Sequence, residues 1–200
     1  MTDKNTHIEN NEGCELKSWQ TLVDFFYKNS PAAREILLEH SNAVAQLALR
    51  INETKHVGLD PKQVEYAAMV HDIGIFLTHA PGIGCEGKEP YIKHGVLGAD
   101  LLRKSGAPEW AARVAERHTG AGLSPKDIEE QNLPLPEDIT LMPETLLEKL
   151  ICYADKFFSK RPGALTEPKS LDKVRGEMSR FGADTLQRFE SMHAIFKLIN

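Results

Sequence analysis

No stretch of the 200-residue sequence approaches the roughly 18 consecutive apolar residues of a membrane-spanning helix. The first residues are polar and lack the apolar segment of a secretory signal. Positively charged residues are also fewer than negatively charged ones: the sequence has 24 Lys and Arg and 29 Asp and Glu, which gives a net charge of −5. A nucleic-acid backbone would find no basic surface to bind. We therefore predict a cytoplasmic protein with neither a membrane nor a nucleic-acid polymer as partner.

Cysteine is scarce as well. The three cysteines are Cys14, Cys85 and Cys152, and no C-x-x-C motif occurs. An odd number of widely spaced cysteines argues against a disulfide framework and against a thiolate zinc site.

Alternating apolar and polar runs, typical of β-strands, are also lacking. Apolar residues instead recur at helical spacing, and Ser30-Pro31 and Asp60-Pro61 are typical helix starts. The Gly- and Pro-rich segment 81–90 is predicted to be a loop. The pattern predicts an all-α, helical bundle-like single domain over residues 14–200, preceded by a disordered polar tail at 1–13. The main helices are expected at about 31–51, 61–77, 91–105, 108–118, 144–160, 170–180 and 183–199.

Successive predicted helices each carry side chains that can bind a metal, and their apolar neighbours indicate that these faces point inward. Buried imidazole and carboxylate groups need partners, and divalent cations bind both. Helical bundles commonly gather metal ligands from facing helices. Taken singly, each of these residues has a simpler explanation: a core histidine with its hydrogen bonds satisfied, a histidine that compensates a helix dipole, or a buried hydrogen-bond acceptor. The candidate ligands are His40, His71, Asp72, His94, His118 and Asp155.

The order H…HD…H…H…D resembles the HD-domain metal-dependent phosphohydrolase superfamily, and His71-Asp72-Ile73-Gly74 matches its HDIG subgroup. The resemblance includes LEHSNAVAQLA, HGVLGADLLRKSG, ERHTGAG and LEKLICYADKF, and places the domain core at about 35–160. It implies two divalent transition-metal ions, chosen from Fe, Mn, Co, Ni or Zn. The first would bind His40, His71, Asp72 and Asp155. The second would bind His94 and His118, with Asp72 bridging the pair.

The resemblance also implies a reaction. Two metals about 3.5–4 Å apart can lower the pKa of a bridging water and present hydroxide to a phosphate. We therefore expect a phosphohydrolase that cleaves a phosphate monoester or anhydride of a small, nucleotide-like substrate. Asp72 and Lys156 are candidate catalytic residues, and His79 is a candidate acid for the leaving group, with a purely structural histidine as the alternative.

Three further cations are candidate phosphate-binding residues: Lys88, Lys93 and Arg117. Solvated surface charge is the alternative for each, because sequence neighbours on a helix point about 100° apart. The motif Gly82-Ile83-Gly84-Cys85-Glu86-Gly87 has dinucleotide-binding spacing but follows a helix, so we interpret it as a loop beside the pocket that closes over substrate.

Other activities stay open within this resemblance. A Lys after the HD motif and a GYP signature mark the cyclic-dinucleotide branch, whereas Ile75 follows HDIG here, so cyclic dinucleotides are not expected substrates. Some HD proteins use the same six ligands as di-iron oxygenases, and a non-catalytic nucleotide sensor is a third hypothesis. The helices after residue 170 either pack on the core or form a homodimer with a second copy.

Overall fold

The computed structural model describes residues 17–198, so the predicted tail at 1–13 lies outside the described residues. The prediction of an all-α fold is confirmed, because the only sheet among the described residues is a two-residue hairpin of β1 (His79–Ala80) and β2 (Cys85–Glu86). The helices are α1 (Trp19–Phe26), α2 (Pro31–Thr54), α3 (Pro61–Val70), α4 (His94–Lys104), α5 (Glu109–Arg117), α6 (Pro125–Glu130), α7 (Leu146–Asp155), α8 (Leu171–Ser179) and α9 (Ala183–Phe196).

Several helices begin where the sequence predicts. The Asp60 side chain accepts a hydrogen bond from the Lys62 backbone N–H at 2.9 Å, which caps α3. Ser30 stands at the cap position of α2 without a side-chain capping bond, and the ring of Pro31 suits the first helical position.

Three helix ends differ from the predicted ones. The helix expected over 61–77 ends at Val70, and the one expected over 144–160 ends at Asp155. The segment expected to start α4 at Tyr91 is a 3₁₀ turn up to Lys93. In each case the α-helix begins or ends at a candidate ligand or directly next to one. Periodicity alone cannot reveal this, because the apolar spacing continues through the turn.

The predicted loop at 81–90 contains regular structure. Its β2 strand pairs antiparallel with β1, in the register His79 to Glu86 and Ala80 to Cys85. Cys85 is fully packed against the core, so much of this segment is held in place.

The core forms around α2, which packs on α3 and α7, and around the α4–α5 pair. Phe189 and Phe196 of α9 are fully buried in the first of these layers, as the core-packing alternative expects for the C-terminal helices. Homodimer formation and a cytoplasmic location stay predictions. None of the helices within residues 17–198 is both long and apolar enough to cross a bilayer.

The turn after α3 contacts α4 so closely that one position requires glycine. A Cβ atom on Gly74 would lie 2.3 Å from the His94 carbonyl oxygen and 2.5 Å from the Gly98 backbone nitrogen. No real Cβ atom tolerates backbone atoms at such distances, so a side chain there would push α4 away. Gly74 therefore brings the His71-Asp72 turn against the start of the helix that carries His94.

We predict that Gly74→Ala destabilises the protein by about 1–3 kcal/mol or more, the usual cost of overpacking a rigid site. Gly82→Ala is the matched control, because nothing lies within 4 Å of a Cβ atom at Gly82 and its backbone is not left-handed. Urea unfolding of both variants measures the difference. Equal stabilities would contradict the close approach.

Candidate metal centre

Five helices and their ends bring the six candidate ligands together. His40 lies in the middle of α2, His94 begins α4, and Asp155 ends α7. The other three follow helix ends: His71 and Asp72 come directly after α3, and His118 directly after α5. All six side chains are buried.

Four of the six form a first group. His40 Nε2 lies 2.9 Å from Asp155 Oδ1 and 3.3 Å from Asp72 Oδ2. His71 Nε2 lies 3.2 Å from the same Asp72 oxygen and 3.5 Å from Asp155 Oδ1. One atom from each residue can therefore face a common point, the arrangement a metal ion requires.

The remaining histidines form a second group around the other Asp72 oxygen. Asp72 Oδ1 lies 3.4 Å from His94 Nε2 and 3.3 Å from His118 Nε2, and the two histidine nitrogens are 3.0 Å apart. Asp72 thus contributes one oxygen to each group.

Local hydrogen bonds orient three of the histidines in the same way. The Nδ1–H of His71, His94 and His118 donates to the carbonyl three residues earlier, at 2.6, 2.7 and 2.8 Å. A carbonyl can only accept, so Nδ1 carries the proton and Nε2 presents its lone pair to the cluster when the ring is neutral.

His94, His118 and Asp72 have the protonation states that metal ligands need, whereas His71 would lose a proton when it binds a cation. Burial lowers the pKa of His94 to about 3 and also lowers the pKa of His118. Burial alone would raise the pKa of Asp72, but the Lys160 ammonium and the His71 imidazole outweigh it and hold that pKa well below its usual range. For His71, burial opposes protonation, yet the Asp72 and Asp155 carboxylates raise its pKa to about 9.

The Nε2 atoms of the neutral His94 and His118 rings are then 3.0 Å apart with their lone pairs facing each other, which is repulsive unless a cation binds both. Further buried polar atoms of the cluster lack a hydrogen bond of suitable geometry within residues 17–198: Nε2 of His71 and both Asp72 oxygens. Such groups are rare in folded proteins and call for an explanation. A divalent cation bound among them would supply it, so the residues fit the metal ions that the sequence predicts.

Lys160 is a neighbour of the cluster that sequence reasoning missed. Its Nζ lies 2.7 Å from Asp72 Oδ2 and 3.8 Å from Asp155 Oδ1. The turn after α7 brings it there, so helical spacing from Asp155 gives no signal for it. Tyr91 was also missed; its ring stacks on His94 at 4.7 Å between centroids, and its place three residues before His94 was the available hint.

The other predicted site residues lie at different distances from the cluster. Lys156 is buried, with its Nζ 2.7 Å from Asp155 Oδ2 and donating to the His118 carbonyl at 2.9 Å. Arg117 binds Glu144 at 2.9 Å and the Met142 carbonyl at 3.2 Å, so the helix connections hold it.

Three predicted residues lie nearer to solvent. Lys93 pairs with Glu89 at 2.9 Å, and both Lys88 and His79 are exposed. The roles predicted for these residues, for Lys156 and for Arg117 stay predictions.

A cavity of about 340 Å³ opens beside the cluster. Tyr91, Asp155, Lys156 and Lys160 line its inner end, and Met178 and Phe181 of the α8–α9 region lie on its wall. Its volume is at the small end of the range of ligand pockets.

Comparison with known proteins places this cluster in a family. The sequence profile of the HD domain matches residues 37–159, which is more than half of the chain. The chain belongs to the HD domain family. The profile match contains all six clustered residues of this HD protein, and the HDIG subgroup stays a prediction.

Several curated proteins are similar in sequence to this HD protein. The HD protein is 38% identical over 149 residues to an uncharacterized protein of Methanocaldococcus jannaschii, covering 72% of this chain and 79% of that one. It is 34% identical over 140 residues to the tRNA (cytidine(56)-2'-O)-methyltransferase of Thermoplasma volcanium, covering 70% of this chain but 36% of that one. With ribonuclease Y of Aquifex aeolicus the identity is 29% over 141 residues, covering 70% of this chain and 20% of that one.

Among solved structures, the HD protein is similar to the HD domain of the L. monocytogenes phosphodiesterase PgpH in complex with cyclic-di-AMP. The TM-score is 0.52 at 16% identity, and the match covers 90% of this chain and 99% of that one. At this identity the likeness establishes the fold.

We predict that Lys160→Met lowers the stability of the metal-free protein by about 3 kcal/mol, because it leaves the buried Asp72 carboxylate without its ammonium partner, whereas Asp155 keeps Lys156. Urea unfolding in the presence of a chelator measures this loss. The loss should shrink when Mn²⁺ is added, since a bound cation would neutralise the same carboxylate.

Lys169→Met is the matched control. The Lys160 and Lys169 side chains are each 16% exposed, but among the ion pairs formed by residues 17–198 Lys169 pairs only with the more accessible Glu177, at 2.8 Å. Its loss should cost about 1 kcal/mol or less. If both variants unfold at the same urea concentration, Lys160 does not neutralise the cluster.

Proposed function

We propose that this HD protein is a metal-dependent phosphohydrolase with a dinuclear centre, and that it cleaves a phosphate monoester or anhydride of a small, nucleotide-like substrate. The single observation that carries the proposal is the position of Asp72. Its two oxygens lie within 3.5 Å of different histidines, His40 and His71 on one side and His94 and His118 on the other. A carboxylate shared in this way suits two adjacent cations.

Each side chain has a defined part in the proposed site. His40, His71, Asp72 and Asp155 would hold one cation, and His94 and His118 would hold the other together with Asp72. When bound, the two cations would supply an activated water at neutral pH and neutralise charge on the phosphoryl oxygens.

The protein itself positions the substrate. Lys156 and Lys160 line the inner end of the cavity, where their ammonium groups can hold phosphate oxygens beside Asp155. Lys156 is fixed by the His118 carbonyl, so its charge is directed without a loss of side-chain freedom on binding. We keep Lys88, Lys93 and Arg117 as candidate contacts for a larger substrate and His79 as the candidate acid for the leaving group.

Substrate class is supported by size and charge. The 340 Å³ cavity suits one small molecule, and the net charge of −5 disfavours a long polyanion. The HD domain of PgpH binds cyclic-di-AMP, which supports the capacity of this fold to hold a nucleotide.

We predict different metal contents for variants of the two groups. The wild type should hold about two metal ions per chain, and His118→Ala about one. Asp72→Ala should hold less metal than the wild type at both proposed metal sites, because Asp72 contributes to each. Elemental analysis of gently purified protein measures the content, and a phosphatase screen over nucleotides should show at least a hundredfold loss for both variants.

His56→Asn is the control, because His56 is exposed, lies between α2 and α3, and has a left-handed backbone that Asn tolerates. It should retain metal and activity. A wild-type protein that holds two metals yet hydrolyses no phosphate in the panel would reject the phosphohydrolase and leave the metal centre standing.

The oxygenase alternative makes the opposite prediction about O₂. Hydrolysis should proceed at the same rate under anaerobic conditions, because no electron leaves the substrate when water attacks phosphorus. An oxygen electrode and an anaerobic phosphate assay on the iron-loaded protein separate the two. Substrate-dependent O₂ uptake with no phosphate release would replace our proposal with an oxygenase.

A further inference from the structure

The cavity beside the metal centre has two chemically different ends. Asp155, Lys156 and Lys160 make its inner end ionic, whereas Ile92, Leu123 and Phe158 give it apolar walls. A ligand that fills it should therefore join an anionic group to a part with an apolar face, because unpaired polar groups against such walls lose their hydration.

The outer wall comes from outside the segment that matches the HD domain. That match ends at residue 159. Met178 belongs to α8, Phe181 to the turn after it and Thr185 to α9. Met178 is buried by the helices around it, so this part of the wall is firmly placed. The same wall carries the Lys169–Glu177 ion pair at 2.8 Å, in which each charge satisfies the other.

Phe181 differs from the buried Met178 on this wall because it is exposed. Its side chain is 52% exposed, although it lines the cavity, so its ring is available to a ligand. Gly182 follows with a positive φ of 114°, a turn that suits glycine and separates α8 from α9. An aromatic ring held at a cavity rim by such a turn can stack on a planar group of the ligand.

We propose that the α8–α9 wall, through Phe181, is the specificity-determining element of this protein, and that it recognises the planar base of a nucleoside monophosphate whose phosphate lies at Lys156 and Lys160. This inference rests on the proposed function and names its substrate. Gln131 also lines the cavity, and its amide can both donate to and accept from the edge of a base. The volume of about 340 Å³ accommodates one nucleoside and leaves no room for a second.

The test compares Phe181→Ala with Phe25→Ala in the metal-loaded protein. Phe25 is an equally suitable phenylalanine for truncation, since it is 69% exposed and lies on α1, away from the cavity lining. For adenosine 5′-monophosphate, Phe181→Ala should raise KM about fivefold or more while kcat changes little, because a stacked base contributes binding and no chemistry. Phe25→Ala should leave both constants unchanged.

Glycerol 1-phosphate is the substrate control, because it has the phosphate but no planar group. Its kcat/KM should be the same in the wild type, Phe181→Ala and Phe25→Ala. A Phe181→Ala variant that loses activity equally on both substrates would show a general structural effect and would overturn the proposal.

A binding measurement keeps this inference separate from the hydrolase proposal. Adenosine, which carries no phosphate, should bind the wild type in a calorimetric titration and bind Phe181→Ala about fivefold more weakly or worse. If adenosine binds in this way but no phosphate ester is hydrolysed, the wall is a base-recognition site and the hydrolase proposal fails. If glycerol 1-phosphate is hydrolysed but adenosine binds both proteins equally or neither, the inference about Phe181 fails and the hydrolase stands.

Discussion

Asp72 has no solvent exposure, and its two oxygens lie within 3.5 Å of four histidine nitrogens and 2.7 Å of the Lys160 ammonium. A buried carboxylate is tolerated only where positive charge and hydrogen-bond donors surround it. The fold is arranged around that requirement: the turn after α7 brings the Lys160 ammonium to Asp72, and α2, α4 and α5 bring histidines that could share a cation with it. Any shift of one helix therefore changes the balance of charge at the centre.

The helix packing follows from the same constraint. Gly74 lets the turn that carries Asp72 lie against the start of α4, and a Cβ at Gly95 would meet the Ala115 carbonyl at 2.6 Å. Small residues at both contacts allow α4 to lie close to its neighbours, which places His94 Nε2 3.0 Å from His118 Nε2. The hydrogen bonds from Nδ1 to the carbonyl three residues earlier then fix which ring nitrogen faces inward. The close helix packing and the orientation of the candidate ligands therefore depend on the same contacts.

The cavity lies between the clustered residues and the helices that follow the segment matched by the family profile. The clustered ligands all lie within residues 37–159, the segment shared with the HD domain family. The wall with Met178 and Phe181 lies beyond it. In the function we propose, this arrangement would separate the groups that act on phosphate from those that recognise the organic part of the substrate, so the second set could vary without disturbing the charge balance around Asp72.

Sequence reasoning was effective where a local pattern carries the information. The helical spacing of apolar residues and the cap at Asp60 predict the all-α fold and the main helix starts, because both effects act over three or four neighbouring residues. The order of His40, His71, Asp72, His94, His118 and Asp155 identified the candidate ligands, since residues of these types on inward faces need a common partner.

Only the tertiary structure decided the features that depend on side chains far apart in the sequence. Lys160 contacts Asp72, which is far from it in the sequence, because the chain turns after α7. No periodic signal in the sequence marks such a turn. Arg117, which stays a candidate phosphate ligand, pairs with Glu144 at 2.9 Å, and only the packing of distant segments reveals this ion pair. The candidate metal ligands could be named from the sequence, because their residue types and order are local information, whereas three-dimensional packing decided which charges accompany them and which helices line the cavity beside them.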